Sequence, residues 1–283
     1  MATPLITVEN FSYAYKGSSK RVLDNLSFSI EESECCGLVG PSEAGKTTLC
    51  YAIASILNHY FAGGKVEGRI STCGLDSLST SLEAMTKHVG ILMQNASVYL
   101  TGIKPRVYEE IAFSMENFGM KRSTIVQRVD SLMGEMGIAQ LADRDPLTLS
   151  GGEMQRVALA SVLALDPPIL ILDEPSSSLD REGVCDLSLI LRKLKGKKTI
   201  LLVEQRMEML PGLVDNLLVL RSGKNVYHGK AENFFGSPDC FEQEVGGPIW
   251  TRVFHEVMSR SGKPAGSLPY TYRQTLRQLD RAR

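Results

Sequence analysis

The sequence predicts an α/β fold, because short apolar runs with strand character alternate with helical segments along its 283 residues. Residues 36–39 form an apolar run that leads into a glycine-rich turn, and a helical pattern follows at residues 46–57. Further apolar runs at residues 89–93, 169–172 and 199–203 are bounded by turns or helical stretches. Runs of this kind are typical of parallel strands that are covered on both faces.

Two further regions are expected around this core. Short β-rich runs at residues 5–8, 11–15 and 26–30 predict an N-terminal β subdomain. The pattern between residues 105 and 142 is helical with little strand character, which predicts a helical subdomain inserted in the α/β core at about residues 95–165.

The C-terminal part of the chain is expected to form a small helical extension. The composition shifts after Gly236, so we place the main domain at residues 1–235 and the extension at residues 236–283. Residues 270–283 form a second candidate helix of the extension. The first is predicted by apolar residues at helical spacing, namely Ile249, Val253, Val257, Phe254 and Met258.

Composition disfavours several classes of function. Lys and Arg number 31 and Asp and Glu 32, so no global positive charge favours nucleic acid, and no nucleic-acid partner is expected. The N-terminal residues lack the pattern of a signal peptide, and no apolar run approaches the roughly 20 residues that span a bilayer. The six cysteines and four histidines are dispersed, without the paired spacing of a metal or redox site.

The strongest chemical motif is a phosphate-binding loop. Residues 40–47 match the pattern GxxxxGK[ST], whose backbone N–H groups and following helix wrap phosphates. Lys46 is expected to pair with the β- and γ-phosphates of ATP, and Thr47 to bind Mg²⁺. A glycine-rich turn that only begins a helix is the alternative. The predicted nucleotide-binding residues here are Gly40, Pro41, Ser42, Glu43, Ala44, Gly45, Lys46, Thr47 and Thr48.

Two acids end a predicted strand at residues 170–174. Ligands of doubly wound sheets bind beyond the carboxyl ends of the strands, so both acids are expected opposite the phosphate loop. Asp173 is predicted to hold Mg²⁺, and Glu174 to act on the attacking water as general base. Either acid could instead cap a helix.

Residues 149–153, Leu-Ser-Gly-Gly-Glu, continue as MQRVALA and closely resemble the signature motif of ABC ATPases. The residues themselves predict a helix start, with Ser150 as N-cap and Glu153 as its capping-box partner. This leaves the amides of Gly151 and Gly152 at the positive helix end. The resemblance implies a P-loop NTPase core of ABC type, in which this motif contacts the ATP held by a second subunit.

The same resemblance implies roles for four more residues. Tyr15 matches the aromatic residue that stacks on adenine, although packing within its own strand is a competing role. Gln94 matches the glutamine that links Mg²⁺ and water to the helical subdomain, and Asp180 matches the loop that couples the two sites. Gln205 stands where the family has a histidine that contacts the γ-phosphate.

Within ABC ATPases the chain looks like the subunits of energy-coupling factor (ECF) transporters, on residues 107–117, residues 203–206 and the shape of the tail. The implied partners are a second ABC ATPase, a transmembrane scaffold protein and a membrane substrate-binding protein that captures vitamins or metal ions. The implied location is peripheral, at the cytoplasmic face of the cell membrane. The tail is then a dimer contact, or it covers its own core. Substrate and direction of transport depend on other polypeptides.

Two residues depart from the family pattern. Gln205 replaces the histidine, and losing a preorganised donor typically costs about 10²- to 10³-fold in rate, so we expect slow hydrolysis. Glu43 replaces a glycine, and its side chain is expected to point into water, away from the phosphates. Both changes fall in one site, which suggests that the partner ATPase is a different chain. A homodimer is the alternative. Two other hypotheses are a soluble ABC ATPase that acts as a nucleotide-dependent switch on a protein or nucleic-acid partner, and a nucleotide-binding regulator with little turnover.

Overall fold

In the computed structural model, residues 4–237, 245, 247–261 and 268–282 are described, and their strands form two sheets. The strands are β1 Pro4–Ala14, β2 Leu23–Glu31, β3 Cys35–Val39, β4 Lys65–Thr72, β5 Leu75–Asp76, β6 Val89–Leu92, β7 Ile169–Asp173, β8 Thr199–Val203, β9 Asn216–Arg221 and β10 Lys224–Lys230. The helices are α1 Lys46–Ile53, α2 Ile56–Tyr60, α3 Leu82–Thr86, α4 Val107–Asn117, α5 Arg122–Glu135, α6 Gly151–Leu163, α7 Arg181–Leu194, α8 Ala231–Phe235, α9 Ile249–Arg260 and α10 Tyr272–Ala282.

The larger sheet has the order β10-β9-β3-β8-β7-β6. Its five strands from β9 to β6 are parallel, and β10 pairs antiparallel at the edge. Every residue of β7 and β8 is buried, because alternate side chains of these strands pack into two apolar clusters, one on each face of the sheet. The predicted parallel α/β core is confirmed.

The smaller sheet, β2-β1-β4-β5, is antiparallel and forms the predicted N-terminal β subdomain. Its first strand joins the two runs that the sequence separates at residues 5–8 and 11–15. A register shift between Val8 and Phe11 surrounds Asn10, whose φ is 46°. This bulge bends the strand without ending it.

The predicted single helix at residues 46–57 is wrong. Helix α1 ends at Ile53, and α2 begins at Ile56. Ser55 between them has φ 62° and is buried, and one left-handed residue is enough to break the i to i−4 hydrogen-bond ladder. Leu57 is buried beyond the break, so the apolar pattern continues although the helix does not.

Helices fill the chain between β6 and β7, where the sequence predicts an insertion. A 3₁₀ turn at Ala96–Tyr99 precedes α4, and α4 and α5 pack on α6. Their buried side chains belong to one apolar cluster with the adjoining face of the large sheet. The proposed domain boundaries themselves stay predictions.

The C-terminal helix α9 is amphipathic, as predicted, but its apolar residues divide between two faces. Phe254 and Met258 are buried with Thr251. Ile249, Val253 and Val257 are 39%, 40% and 44% exposed, and they form an apolar stripe on the outer surface. The candidate helix at residues 270–283 is observed as α10, and residue 283 lies outside the described part.

No helix in the described ranges is long and apolar enough to span a membrane.

Glu110 on α4 should stabilise the segment that links β6 to the inserted helices. Its buried carboxyl group accepts hydrogen bonds from the backbone N–H and the hydroxyl group of Thr101. Glu110→Gln keeps an oxygen for the N–H of Thr101 and gives its hydroxyl oxygen an NH₂ donor, but it removes the carboxylate charge that strengthens both hydrogen bonds, at a cost of about 1 kcal/mol. We expect a thermal midpoint lower by roughly 2–4 °C per kcal/mol, measured by circular dichroism. Glu109→Gln, on the same helix and less buried, is the control; an equal shift in both variants would contradict the assignment.

Candidate nucleotide-binding site

The phosphate loop joins the end of β3 to the start of α1. A Cβ atom at Gly40 would lie 2.1 Å from the carbonyl oxygen of Leu220, and one at Gly45 would lie 2.7 Å from Leu23 Cδ2. Both glycines also have positive φ angles, 155° and 100°. The loop is therefore held against β9 and β2 at distances that only glycine permits.

Lys46 lies folded back across this loop. Its Nζ donates hydrogen bonds to the carbonyl oxygens of Gly40 and Pro41, both at 2.9 Å. Burial lowers the pKa of Lys46, and the charges of Glu174 and Asp173 oppose that shift. The ammonium group is thus partly desolvated, and the lower local dielectric strengthens its attraction to a phosphate.

Asp173 ends β7 and meets the phosphate loop directly. The hydroxyl group of Thr47 donates a 2.7 Å hydrogen bond to Asp173 Oδ2. Burial raises the pKa of Asp173, and this hydrogen bond opposes the shift. One hydroxyl and one carboxyl oxygen are therefore adjacent, a donor set that suits a Mg²⁺ ion completed by phosphate and water.

Glu174 is held between two glutamines. Gln94 Nε2 donates to Glu174 Oε2 at 3.2 Å, and Gln205 Nε2 donates to Glu174 Oε1 at 2.5 Å. These residues follow the ends of β6, β7 and β8, so the carboxyl edge of the sheet brings the predicted catalytic residues together.

A cleft of about 620 Å³ lies over the phosphate loop and these side chains. Part of its lining consists of predicted residues from Pro41 to Thr48 together with Gln94, Glu174 and Gln205. The other lining residues were not predicted from the sequence; they come from the β1–β2 connection and the β9–β10 turn and are Ser18, Lys20, Arg21, Val22, Ser222 and Gly223. No motif marks these residues, because their position depends on contacts between distant segments.

The signature motif begins α6 as predicted. Ser150 is the N-cap, Glu153 N donates to its Oγ at 3.4 Å, and Ser150 N donates to Glu153 Oε2 at 2.8 Å. A Cβ added at Gly151 or Gly152 would meet its nearest neighbour only at 3.7 or 4.0 Å. Unlike the glycines of the phosphate loop, these two have free space beside them.

A second cleft, of about 380 Å³, lies between the signature motif and the predicted coupling loop. Asp180 is the N-cap of α7 there and accepts a 2.8 Å hydrogen bond from Gly183 N. Among the described residues, the lining of this cleft and that of the phosphate cleft have no member in common. The two motifs therefore face different spaces within one chain.

The family model of the ABC transporter matches residues 23–177. The chain belongs to the ABC transporter ATP-binding family. It is an ABC ATPase, and such proteins bind ATP, typically with Mg²⁺, and work as dimers with membrane components.

Two sequence relatives show how far the similarity extends. A Pyrococcus abyssi protein, assigned as an ABC transporter ATP-binding protein, is 35% identical over 88% of each chain. A Methanosarcina mazei protein with the same assignment is also 35% identical, over 80% of this chain, but the chain spans only 38% of that protein.

Solved structures confirm the ABC ATPase fold. CbiO1 of Clostridium perfringens, described as part of the ABC transporter complex cbiONQ, superposes with a TM-score of 0.73 at 25% identity, over 91% of this chain and 95% of CbiO1. The dimeric cassette MJ0796 bound to ADP and Pi matches at 23% identity with a TM-score of 0.68, over 80% and 98%.

Tyr15 of this ABC ATPase lies beside the cleft but is not among its lining residues. Its hydroxyl group is 2.9 Å from that of Thr48, and its ring packs edge-on against Tyr13 and Phe61. These contacts support the packing role that the sequence left open. Stacking on adenine stays a prediction.

Glu43 is exposed, in agreement with a side chain directed into water, although it also lines the cleft. Its φ of 63° lies in the left-handed region, where an L-residue costs roughly 1–2 kcal/mol and glycine does not. The backbone therefore gives a physical reason for the glycine that the family resemblance led us to expect here.

Glu204 is a supporting residue that the sequence analysis did not identify. It is buried at the end of β8, and its carboxyl group accepts hydrogen bonds from the backbone N–H and the hydroxyl group of Ser176, at 3.2 and 2.9 Å. Burial raises the pKa of Glu204, and these hydrogen bonds oppose the shift. This contact fixes the turn that follows Glu174.

Gly223, in the β9–β10 turn, should position the phosphate loop. Its N–H donates to Ala44 O at 3.2 Å, and its carbonyl oxygen accepts from Asp24 N at 2.8 Å. A Cβ there would lie 2.4 Å from Val22 O. Gly223→Ala should therefore displace the loop and weaken ATP binding about tenfold, as measured with a fluorescent ATP analogue.

Gly196→Ala is the matched control for that experiment. Gly196 has φ 77° against 78° for Gly223, but nothing lies within 4 Å of its Cβ position. Both variants share the strain of a positive φ, and only Gly223→Ala adds the clash. Equal ATP affinity in the two variants would refute the positioning role.

Proposed function

We propose that this chain is the ATP-hydrolysing motor subunit of an ABC importer of ECF type. It acts at the cytoplasmic face of the cell membrane and drives uptake of a vitamin or metal ion through partner membrane proteins. The observation that carries the catalytic part is Glu174, held by the amides of Gln94 and Gln205 beside the phosphate cleft. The similarity to CbiO1, a part of an ABC transporter complex, supports the transport part.

The residues of the cleft fit ATP and Mg²⁺. The phosphate loop approaches β9 and β2 at distances that only glycine permits, and the cleft above it leaves room for phosphate oxygens. Lys46 is the cation for the β- and γ-phosphates. Thr47, Asp173 and Gln94 are the residues that would hold the metal. Mg²⁺ held there would neutralise charge on the phosphate oxygens during transfer.

Hydrolysis requires one group that orients a water molecule and takes its proton. Glu174 has this role: as the water oxygen bonds to the γ-phosphorus and the bond to the β,γ-bridging oxygen breaks, the proton passes to the carboxylate. Gln205 already donates to one oxygen of Glu174. As a neutral amide it orients the base, but it gives the developing phosphate charge less stabilisation than the family's histidine would, so turnover is slow.

The signature half of the chain serves a second subunit. Ser150, Gly151, Gly152 and Glu153 line a cleft separate from the chain's own phosphate cleft, which fits contact with an ATP held by the partner. Asp180 in the same cleft would link the two sites. Because the chain's own site has the altered residues, the partner is a different ABC ATPase.

Exposed apolar side chains support contacts with other subunits. Val98 and Ile103, in the segment that follows Gln94, are 66% and 71% exposed. Apolar side chains this exposed are typical of interaction surfaces when they cluster. We assign this segment to the transmembrane scaffold, and the exposed stripe of Ile249, Val253 and Val257 on α9 to the partner ATPase.

Gln205→His should raise ATP turnover at this chain's own site in the assembled complex by about 10- to 100-fold, because an imidazole can donate directly to the γ-phosphate. The measurement is phosphate release under saturating ATP by a complex in which the partner ATPase's own catalytic glutamate is replaced by glutamine, so that hydrolysis at its site does not mask this one. Glu174→Gln in this chain should then remove the remaining hydrolysis and keep ATP binding. Unchanged turnover in Gln205→His would show that Gln205 does not limit the rate.

The proposed transport function predicts which proteins co-purify with the native chain. Affinity purification from detergent-solubilised membranes should recover three further proteins: another ABC ATPase, a scaffold and a small substrate-binding membrane protein. Mass spectrometry identifies them. Recovery of the chain only in the aqueous fraction, bound to a soluble protein or nucleic acid, would favour the switch-protein alternative.

A further inference from the structure

A cleft of about 490 Å³ lies at the opposite end of the large sheet from the phosphate loop. Asp166, just before β7, and Lys198, just before β8, are in its lining, whereas Asp173 ends β7 at the nucleotide site. The five residues of β7 therefore separate this cleft from the nucleotide site by about 17 Å. The cleft is therefore outside the machinery described above.

The walls of the cleft come from three helices. Helix α5 forms one side, the last turn of α6 the floor, and the C-terminal half of α7 the other side. The interior is apolar and is made of buried side chains. These are Leu132, Met136, Leu163, Ile190 and Leu194.

The rim of the cleft carries more positive than negative charge. Asp166 accepts hydrogen bonds from both Arg128, at 2.9 Å, and Lys198, at 2.8 Å, so two cations share one carboxylate. Lys193 and Lys197 are exposed on the α7 side, and neither has a salt-bridge partner within the described part of the chain. Both residues belong to the lining, so an anion in the cleft would lie near their positive charges.

Two details of the α5 side complete the rim. Glu135, the other carboxyl group of the lining, accepts a 2.8 Å hydrogen bond from the hydroxyl group of Ser131 on its own helix. Arg128 donates to Leu163 O and to Asp166, but its buried Nε has no hydrogen-bond partner among the described residues. A buried donor of this kind is costly unless a ligand or water pairs with it.

We propose that this cleft binds an amphiphilic anion, with a carboxylate or phosphate head at Arg128, Lys193 and Lys197 and an apolar body on the helix surfaces below. The volume falls within the roughly 300–1,000 Å³ typical of small-molecule sites, which combine apolar walls with a few placed polar groups. Arg and Lys are the side chains that pair best with such head groups.

The position of the cleft would let its ligand act on the ATPase. Helix α6 runs from the signature motif to Leu163, and α7 runs from Asp180 to Leu194. Each helix is about 20 Å long. A ligand bound between α5 and the C-terminal ends of α6 and α7 therefore contacts two helices that begin at the signature motif and at Asp180, the sites assigned above to contact with the partner. This inference does not depend on the transport assignment.

Titration calorimetry with hexyl phosphate on the full chain tests the proposal, with the phosphate cleft saturated by ADP and Mg²⁺. We expect one binding event, tighter than that of inorganic phosphate or of hexanol, since each ligand lacks one half of the recognised chemistry. Across ethyl, butyl and hexyl phosphate the affinity should rise by roughly fourfold per added CH₂ group. If hexyl phosphate binds no more tightly than inorganic phosphate, the apolar walls do not contribute to recognition and the proposal of an amphiphilic ligand is overturned.

The double variant Lys193→Gln and Lys197→Gln tests the charged part. Both side chains are exposed, so the fold should persist, and affinity for hexyl phosphate should fall about tenfold. The matched control replaces two other exposed lysines, Lys65→Gln and Lys121→Gln. If both double variants bind hexyl phosphate as the unmodified chain does, the rim of this cleft is not a recognition surface and the proposal fails.

Discussion

The hydrogen bond between Thr47 and Asp173 is the contact on which the nucleotide site depends. It joins the loop after β3 to the end of β7, although β8 lies between these strands in the sheet. Because the strands are parallel, the segments that follow them emerge at one edge, and Glu174 and Gln205 lie there too. A single short bond thus fixes the distance between the phosphate-binding and acidic halves of the site.

Much of this arrangement was predictable because its causes are local. A glycine-rich turn before a helix, an apolar strand that ends in two acids, and a capping box are patterns over a few neighbouring residues. The capping box at Ser150 and Glu153 has the predicted bonds. The grouping of Gln94, Glu174 and Gln205 was predictable only through family resemblance, since no spacing in the sequence relates three residues from separate strand ends.

The features that the sequence did not reveal depend on contacts between distant segments. Gly223 is adjacent to the phosphate loop because the β9–β10 turn is wedged between Ala44 and Val22. Ser55 breaks a helix inside an uninterrupted apolar pattern. The exposure of Val253 on α9 follows from which face of that helix meets its neighbours, and periodicity alone does not distinguish two apolar faces.

The free space at the signature glycines has a consequence for how sequence variation in this chain should be interpreted. At Gly40 the fold itself excludes a side chain, so any substitution damages the subunit whether or not it is assembled. At Gly151 and Gly152 the folded chain would accept alanine, since among the described residues no atom beyond the adjoining residues and the helix backbone lies closer than 3.7 Å to the new methyl group. Under the proposed contact with an ATP held by the partner, a requirement for glycine at those two positions would report on assembly and not on folding.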